Sequence, residues 1–275
     1  MLFLNLGKLS GIEMFRILPH YNFESNFDDK RHQLTIIHHP NISTLRYDTR
    51  MKKEYWLNRW EREDIGFHQN EINPYLREYW QRLHLAPDSE VFVPLCGKSR
   101  DMLWLREQGH TVLGVELSSL AAQAFFTESS RTPHCITSDK FTHLEADEIR
   151  ILCGDFFNLC KNDVAKVNAV YDRASLIALP PEMRKRYAHH LLNILPPATQ
   201  TLLITLDYPH SEMSGPPFPV SMDEVAALYQ PHAEIKLLVQ YDVLAQNPRF
   251  QERGLSRLQE NIFLLRSYIP SYGTG

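Results

Sequence analysis

The stretch Val91-Phe92-Val93-Pro94-Leu95-Cys96-Gly97-Lys98-Ser99 decides the fold of this chain. A short apolar run ends in a turn, which is the pattern of a buried strand that leads into a helix. Gly97 lets the turn approach a ligand closely, and the start of the helix offers free backbone N–H groups. With a single glycine, the turn matches neither the dinucleotide fingerprint nor the Walker loop, and an ordinary strand-to-helix turn is an equally good interpretation.

Strands and helices alternate on both sides of this turn. The expected strands are residues 91–95, 111–116, 150–153, 167–172, 201–206, 235–241 and 262–268, and the expected helices are residues 53–63, 72–84, 101–108, 119–128, 181–195 and 222–229. Such alternation predicts right-handed crossovers and an α/β fold with a doubly wound, mostly parallel, seven-stranded sheet. The last two strands have no long helix between them, so one strand near the C-terminus is expected to run antiparallel.

Residues 1–50 lack this regular pattern. Several histidines, among them His38 and His39, lie among polar residues, but no carboxylate or cysteine accompanies them at the spacing of a metal site. We expect an extension that is disordered or weakly packed, or a start assigned upstream of the true one at Met51, and we favour the latter. Residues 51–275 then form a single domain.

The bulk composition narrows the class of protein. The chain has 275 residues, 43% of them hydrophobic, and a net charge of −4. This balance allows a sizeable core and gives no reason to expect nucleic acid or an anionic membrane as a partner. Four cysteines without metal-like or paired spacing indicate free thiols in a reducing cytoplasm, and no apolar run is long enough for a transmembrane helix. No coiled-coil pattern is present, so a monomer is expected.

A carboxylate ends the second expected strand. In open parallel sheets, ligands bind outside the carboxyl ends of the strands near the point where the strand order reverses. Glu116 lies there, 19 residues after Gly97, where an acidic side chain can accept both hydroxyls of a ribose. The alternative is that Glu116 caps the next helix, because Ser118 and Ser119 follow it. We favour ribose binding.

Polar residues also end the third and fourth strands. Asp155 could bind an adenine amino group while Phe156 stacks on the ring, and Phe157 is assigned to the core. Asp172 and Arg173 follow the fourth strand, where either could form a surface ion pair of little consequence. At the cleft, however, the fixed fork of donors suits Arg173 to an anionic or sulfur-bearing substrate, or to the carboxylate of a cofactor.

Nine segments, in this order along the chain, together resemble the thiopurine S-methyltransferase family, particularly its bacterial members. They are residues 55–60, 65–69, 93–99, 114–117, 125–128, 154–157, 171–174, 203–208 and 215–218. The most specific are the loops Pro94-Leu95-Cys96-Gly97-Lys98 and Gly215-Pro216-Pro217-Phe218. The resemblance extends from about residue 53 to the C-terminus, and residues 1–50 have no counterpart in it.

This resemblance implies a class I, Rossmann-like methyltransferase fold that uses S-adenosylmethionine and no metal. Carried over residue by residue, the cofactor positions are Trp60, Leu95, Glu116, Asp155, Phe156 and Arg173, and the substrate positions are Phe67, Arg173 and Phe218. Trp60 would cover the methionine end of the cofactor, where a sulfonium is attracted to an aromatic face. Leu95 would contact the same end from the loop. Trp60 and Phe67 have core packing as a plain alternative.

The implied reaction transfers a methyl group to thiopurines or other aromatic or heterocyclic thiols. An aromatic thiol is substantially ionised near neutral pH, so the protein has mainly to hold nucleophile, methyl carbon and leaving sulfur in line. If a base is used, Asp172 and His68 are the candidates by position. Residues 211–219, rich in glycine and proline, could close over the substrate.

Two other functions compete with this one. A methyltransferase of the same fold could act on halide, thiocyanate, or selenium and tellurium oxyanions, and the pocket around Phe67 and Phe218 would then decide the substrate. A non-catalytic nucleotide-binding regulator is the alternative from another class. The combination of Trp60, Glu116 and Arg173 with the loop argues against it.

Overall fold

The computed structural model describes residues 53–268. Its strands are β1 (Glu90–Val93), β2 (Thr111–Glu116), β3 (His134–Thr137), β4 (Thr142–Ala146), β5 (Ile149–Cys153), β6 (Val167–Asp172), β7 (Gln200–Asp207), β8 (Ala233–Asp242) and β9 (Gln259–Ser267). Its helices are α1 (Lys53–Glu61), α2 (Pro74–Tyr79), α3 (Asp101–Glu107), α4 (Ser119–Glu128), α5 (Ser175–Ala178), α6 (Pro181–Ile194), α7 (Met222–Tyr229) and α8 (Pro248–Gln251). The expectations for residues 1–50 lie outside the described residues.

The strands form one sheet in the order β3-β4-β5-β2-β1-β6-β7-β9-β8. The five strands from β5 to β7 in this order are parallel to their neighbours. Strand β9 runs antiparallel to β7 and β8, which confirms the expected antiparallel strand near the C-terminus. The order reverses at β1, because the chain moves outward through β2 and β5 and then returns to β6. The carboxyl ends of β1 and β6 therefore border the switch point.

The expected number of seven strands is wrong, because the sheet contains nine. All seven expected strands are present, and the two additional ones, β3 and β4, form an antiparallel hairpin beside β5. All four residues of β3 are exposed, so its sequence lacks the buried apolar alternation that marks a strand. This hairpin extends the sheet at the edge away from β6 and leaves the switch point unchanged.

Both faces of the sheet are covered by helices. On β1, Val91 and Val93 face a core layer that includes residues of α2, α3 and α4, while Phe92 faces a second layer that includes residues of α6 and α7. Burial on both faces explains why the central strands are nearly continuous apolar runs. Among residues 53–268, no helix is long and apolar enough to cross a membrane.

The helix expected over residues 72–84 is shorter in the structure. The side chain of Asn73 accepts hydrogen bonds from the N–H groups of Tyr75 and Leu76, and Pro74 occupies the first turn, so α2 begins at Pro74. A 3-10 turn from Trp80 to Leu83 follows and ends at a left-handed residue. The position of Asn73 at this start matters below, because its backbone N–H points to the site.

Candidate active site

The loop that follows β1 folds back over the end of β2. Leu95 and Gly97 have φ angles of 47° and 54°, and the N–H of Cys96 donates to the carbonyl of Val115 over 3.0 Å. Glycine adopts this left-handed conformation without strain, whereas a leucine rarely does. Seven other non-glycine residues among those described also have a positive φ, so it is the hydrogen bond to Val115, and not the angle, that holds this loop over the end of β2.

Glu116 is buried at the end of β2 and is held by two backbone groups. The N–H of Gly97 donates to Oε2 over 2.8 Å, and the N–H of Ser118 donates to Oε1 over 2.7 Å. Burial raises the pKa of Glu116, and these two hydrogen bonds act in the opposite direction. The carboxylate plane is fixed, and each oxygen retains a lone pair that a ribose hydroxyl can use. The N-cap of α4 is Ser118 and not Glu116, because the hydroxyl of Ser118 accepts from the N–H of Ala121.

Asp155 follows β5, on the far side of Glu116. The N–H of Phe157 donates to its Oδ1 over 3.0 Å, and Lys53 of α1 contacts its Oδ2 over 2.6 Å. The backbone before it is tied to β2, since the N–H of Gly154 donates to the carbonyl of Glu116 over 2.8 Å. Asp155 thus lies beside Glu116 at the carboxyl edge, where the sequence placed it.

The two phenylalanines after Asp155 both pack against the core, and Phe156 is the more deeply buried of the two. Phe156 is only 3% exposed and packs against Tyr187, with ring centroids 4.8 Å apart. Phe157 is half-buried, and the guanidinium of Arg186 lies 4.6 Å from its ring centroid. Phe157 packs against the same core cluster as Phe156, as expected of it, although it is partly exposed. The two rings meet edge-on with centroids 5.4 Å apart, and the deep burial of Phe156 leaves little of its ring open for the adenine stacking that the sequence predicts.

Arg173, after β6, is fixed by groups from the loop and from α3. Its Nε donates to Oδ2 of Asp101 over 3.0 Å, and its Nη2 donates to the hydroxyl of Ser99 over 3.4 Å. The side chain of Arg173 is 17% exposed and that of Asp101 is 2% exposed, so this is not a surface ion pair. The arginine head lies next to the candidate cofactor loop, residues 94–99, and borders the switch point.

The two candidate bases differ in position. Asp172 is buried, its Oδ2 accepts from the hydroxyl of Tyr187 over 2.6 Å, and its Oδ1 accepts from the N–H of Ser175 over 3.2 Å. Burial raises the pKa of Asp172 to about 6, but the enclosed carboxylate cannot reach a substrate, so we withdraw it as a candidate base. His68 is half-buried, and burial together with the charge of Lys98 lowers the pKa of this imidazole. It remains a candidate base by position.

An aromatic cluster covers the loop. A Cβ atom placed on Gly97 would lie 3.3 Å from Cζ2 of Trp60, so the indole rests on the glycine. Phe67 packs edge-on against Trp60 and Trp56, with ring centroids 5.6 and 5.7 Å apart, and remains 38% exposed. Helix α1, which carries both tryptophans, has no buried residue. Trp60 therefore covers the loop and does not belong to the core.

Phe218 lies inside the Gly-Pro-Pro-Phe loop. It is buried, its ring packs on Gly215, and its N–H donates to the carbonyl of Ile177 over 2.6 Å. The close approach requires a glycine, because a Cβ on Gly215 would lie 2.5 Å from Cδ1 of Phe218. Phe218 thus shapes this loop at the carboxyl edge, and its ring does not face an open pocket as a substrate residue would.

These polar groups form a row along the carboxyl edge of four neighbouring strands. Asp155 follows β5, Glu116 ends β2, Gly97 follows β1 and Arg173 follows β6, in the spatial order of the sheet. Three strand spacings of about 4.8 Å give a row about 14 Å long. It runs from the carboxylate of Asp155, through that of Glu116, to the guanidinium of Arg173, and the indole of Trp60 rests on Gly97.

Asp101, Ser99 and Tyr171 complete the cationic end of the row; Ser99 belongs to the loop and Tyr171 to the segment singled out in the sequence, whereas Asp101 was not identified from it. Asp101 was assigned only as the first residue of a helix, where acidic residues are common for other reasons. The apolar residues Met102 and Leu105 of the same helix belong to the core, so the sequence indicates that this part of the helix is buried. It does not indicate a partner for Asp101. No cluster of three or more potential metal ligands occurs among residues 53–268.

The fold is that of the class I, Rossmann-like methyltransferases. One similar structure is Haemonchus contortus phosphoethanolamine N-methyltransferase 2, solved with S-adenosyl-L-methionine, with a TM-score of 0.53 at 10% identity. The match covers 81% of this chain and 60% of that protein. Burkholderia thailandensis 1,6-didemethyltoxoflavin-N1-methyltransferase, solved with S-adenosylhomocysteine, has a TM-score of 0.56 at 14% identity and covers 86% of this chain and 99% of its own.

Within this fold class, the chain belongs to the thiopurine S-methyltransferase family, whose model matches residues 51–268. A thiopurine S-methyltransferase of Nitrosospira multiformis is 65% identical over 215 residues, which are 78% of this chain and 98% of that protein. Another from Pseudomonas fluorescens is 47% identical over 215 residues, or 78% of this chain and 99% of that protein. The resemblance inferred from the nine sequence segments is confirmed.

Proposed function

We propose that this chain transfers the methyl group of S-adenosylmethionine to the sulfur of aromatic or heterocyclic thiols, including thiopurines. The observation that carries the proposal is the row formed by Asp155, Glu116, Gly97 and Arg173. Its order of acceptors and cation matches an elongated ligand with an amino group, two hydroxyls and a carboxylate. The names of the family relatives support the same activity. We further propose that residues 51–275 form the catalytic domain and act as a monomer in the cytoplasm.

The residues of the row divide the work of binding the cofactor. Glu116 accepts the ribose hydroxyls, and Asp155 accepts the adenine amino group with the oxygen that otherwise contacts Lys53. Arg173 binds the carboxylate, while Leu95 and Trp60 enclose the methionine part. When bound, the cofactor supplies an electrophilic methyl group on a sulfonium. The indole of Trp60 both stabilises that charge and keeps water from it.

The substrate approaches from the side of Phe67, whose exposed ring provides an apolar surface for an aromatic thiol. Catalysis rests on alignment, because a thiolate needs no further activation. For a less acidic thiol, the imidazole of His68 is the candidate to take the proton, by its position beside Phe67. The side of the site that carries Phe67 and His68 is therefore where the choice among thiol, halide and oxyanion substrates is made.

Calorimetric titration of S-adenosylmethionine tests the cofactor half of the proposal. We expect the wild type to bind and Glu116→Ala to bind at least about tenfold more weakly, since the ribose loses its acceptor. Glu107→Ala, which removes an exposed carboxylate from α3, is the matched control and should bind as the wild type does. An absence of binding heat with the wild type would refute the proposed function.

A methyl-transfer screen tests the substrate half. The wild type is assayed with thiopurines, thiophenols, selenite and iodide at saturating S-adenosylmethionine, and kcat/KM is compared. Thiols are expected to give the highest values, because Phe67 offers an aromatic surface that selenite and iodide cannot use. Higher kcat/KM values for selenite or iodide would show that the protein acts on the second substrate class and not on thiols. The proposed cofactor site would be unaffected by that result.

A further inference from the structure

Beneath Arg173 lies a buried acidic residue, Asp101, that the proposed mechanism does not use. It is the first residue of α3, and its side chain is 2% exposed. A carboxylate buried this deeply is unfavourable unless charged or polar partners satisfy it. Three donors do so: the backbone N–H of Asn73 at 2.8 Å, the hydroxyl of Tyr171 at 3.0 Å and Nε of Arg173 at 3.0 Å.

These donors come from separate parts of the site and divide between the two oxygens. Oδ1 accepts only from Asn73 among them, which follows the segment that carries Phe67 and His68. Oδ2 accepts from Tyr171 and from Arg173. Asp101 thereby connects the start of α2, the end of β6 and the start of α3. A residue that served only the helix dipole would need none of these three contacts.

The contacts fix the arginine head in one orientation. Its Nε is held by Asp101 and its Nη2 by the hydroxyl of Ser99, which belongs to the cofactor loop and also accepts the N–H of Asp101 over 3.3 Å. Two anchored nitrogens define the plane of a guanidinium. Since this group carries five N–H donors, donors remain for a bidentate contact with a carboxylate.

We propose that Asp101 is a positioning residue that holds Arg173 ready to receive the carboxylate of the methionine part of the cofactor. The inference rests on the proposed function and on the order of the row, in which Arg173 lies beyond the ribose position at Glu116. An arginine without this anchor would have to be ordered when the ligand binds, and that ordering weakens binding. Asp101 itself touches neither the cofactor nor the substrate.

The test compares two ligands that differ in the amino-acid part, whose carboxylate Arg173 is proposed to bind. Calorimetric Kd values are measured for S-adenosylhomocysteine, which has the carboxylate, and for 5′-methylthioadenosine, which lacks the amino-acid part. Asp101→Asn keeps an oxygen for Asn73 but presents an amide to Arg173. We expect this substitution to raise the Kd of S-adenosylhomocysteine by about tenfold or more and the Kd of 5′-methylthioadenosine by less than about twofold.

Asp163→Asn is the matched control, because Asp163 also accepts a backbone N–H, from Cys160 over 2.7 Å, but lies outside the row. It should change neither Kd. Equal weakening of both ligands by Asp101→Asn would mark a merely structural role and overturn the proposal, as would unchanged binding of both. Failure of the wild type to bind S-adenosylhomocysteine would instead count against the proposed function.

A second pair of variants applies if Asp101→Asn does not fold. Arg173→Met and the double variant Arg173→Met/Asp101→Asn are compared, since removing both charges together avoids an unpaired buried charge. If Asp101 acts through Arg173, the double variant binds S-adenosylhomocysteine no more weakly than Arg173→Met alone. A further loss of more than about threefold in the double variant would show that Asp101 acts by another route.

Discussion

At the scale of single residues, the contact between Gly97 and Trp60 joins the cofactor loop to its cover. The N–H of the same glycine holds Glu116, so one residue touches both the aromatic cover and the acidic acceptor. Its φ of 54° is one that L side chains rarely adopt, and an added Cβ would lie 3.3 Å from the indole, which would have to shift. The binding strength of the loop should therefore be unusually sensitive to this position.

Gly97→Ala is expected to lower the free energy of unfolding by about 1–2 kcal/mol, because alanine is strained in the left-handed region. The displaced indole should also weaken the binding of S-adenosylmethionine severalfold. Chemical denaturation and calorimetry measure the two effects. Gly66→Ala is the control, since nothing lies within 4 Å of its added Cβ. Equal behaviour of the two variants would refute a special role for Gly97.

The raised pKa of Asp172 leads to a second prediction at this scale, which concerns how the free energy of unfolding depends on pH. Burial raises its pKa from 3.8 to about 6, so between these values the folded protein binds more protons than the unfolded chain does. By linkage, the free energy of unfolding falls as pH rises from about 4 to 6, and the ionised carboxylate then costs up to about 3 kcal/mol. Asp172→Asn should remove this dependence and stabilise the protein at pH 7.

Denaturant unfolding of the wild type and Asp172→Asn at pH 4, 5, 6 and 7 measures this effect as a growing difference between the two proteins. The amide can still accept from Ser175 and donate to Tyr187, so the fold is preserved. The same variant should retain kcat, since the carboxylate is enclosed. A loss of more than about a hundredfold in kcat would restore Asp172 as the base.

At the scale of elements, the sequence predicted the helices and strands whose apolar residues recur at a regular spacing. All seven expected strands and the six expected helices are present, because apolar residues recur in them at strand or helix spacing, and this holds even for α1, which has no buried residue. The hairpin of β3 and β4 was missed, since β3 is exposed along its whole length. The short helices α5 and α8 have four residues each, too few to display a period.

The same physical limit applies to the site. Glu116, Asp155 and Arg173 could be placed because each ends a strand, and strand ends in a parallel sheet meet at one edge. Asp101 could not be identified, because its partners are 28, 70 and 72 residues away in sequence and only the folded chain brings them together. Phe156 and Phe157 show the related limit that neighbouring residues in an irregular turn have no period.

A buried arginine anchors the Gly-Pro-Pro-Phe loop between two helices. Arg184 of α6 is fully buried, its Nη1 donates to the carbonyl of Pro219 over 2.8 Å, and its Nε lies 3.0 Å from Oε1 of Glu224 in α7. The loop that carries Phe218 is thus tied at its end to the helical layer. This contact should determine how firmly the loop is held at the carboxyl edge.

Arg184→Met is expected to lower the free energy of unfolding by about 3 kcal/mol, because it leaves Glu224 without its cation and Pro219 without its donor. The KM for the thiol should rise, as the loop loosens beside the substrate. Arg186→Met on the same helix is the control. Its exposed guanidinium only covers the ring of Phe157, so a loss of less than about 1 kcal/mol is expected. Similar losses in both variants would contradict the anchoring role.

At the scale of the whole molecule, the site depends on the order of strands and not on any one motif. The single-glycine loop is a weak signal alone, yet its place at the switch point, next to β2 and β6, brings Glu116 and Arg173 to either side of it. A helix without buried residues, α1, then supplies the cover through Trp60. The row exists only because the reversal of strand order places Arg173 beyond Gly97 and Glu116.

Since every residue of this row and its cover lies between Lys53 and Phe218, a fragment of residues 51–275 should contain the complete site. We expect it to bind S-adenosylmethionine with a Kd within about twofold of that of the full chain. Its melting temperature should also agree to within about 3 °C, a shift that corresponds to less than about 1 kcal/mol for a domain of this size. Calorimetry and thermal unfolding of the two proteins, purified in parallel, measure both quantities.

The family match over residues 51–268 supports the choice of boundary. A fragment that fails to fold, or that binds the cofactor more than about tenfold more weakly, would show that residues 1–50 contribute to the domain and that the proposed boundary at Met51 is wrong.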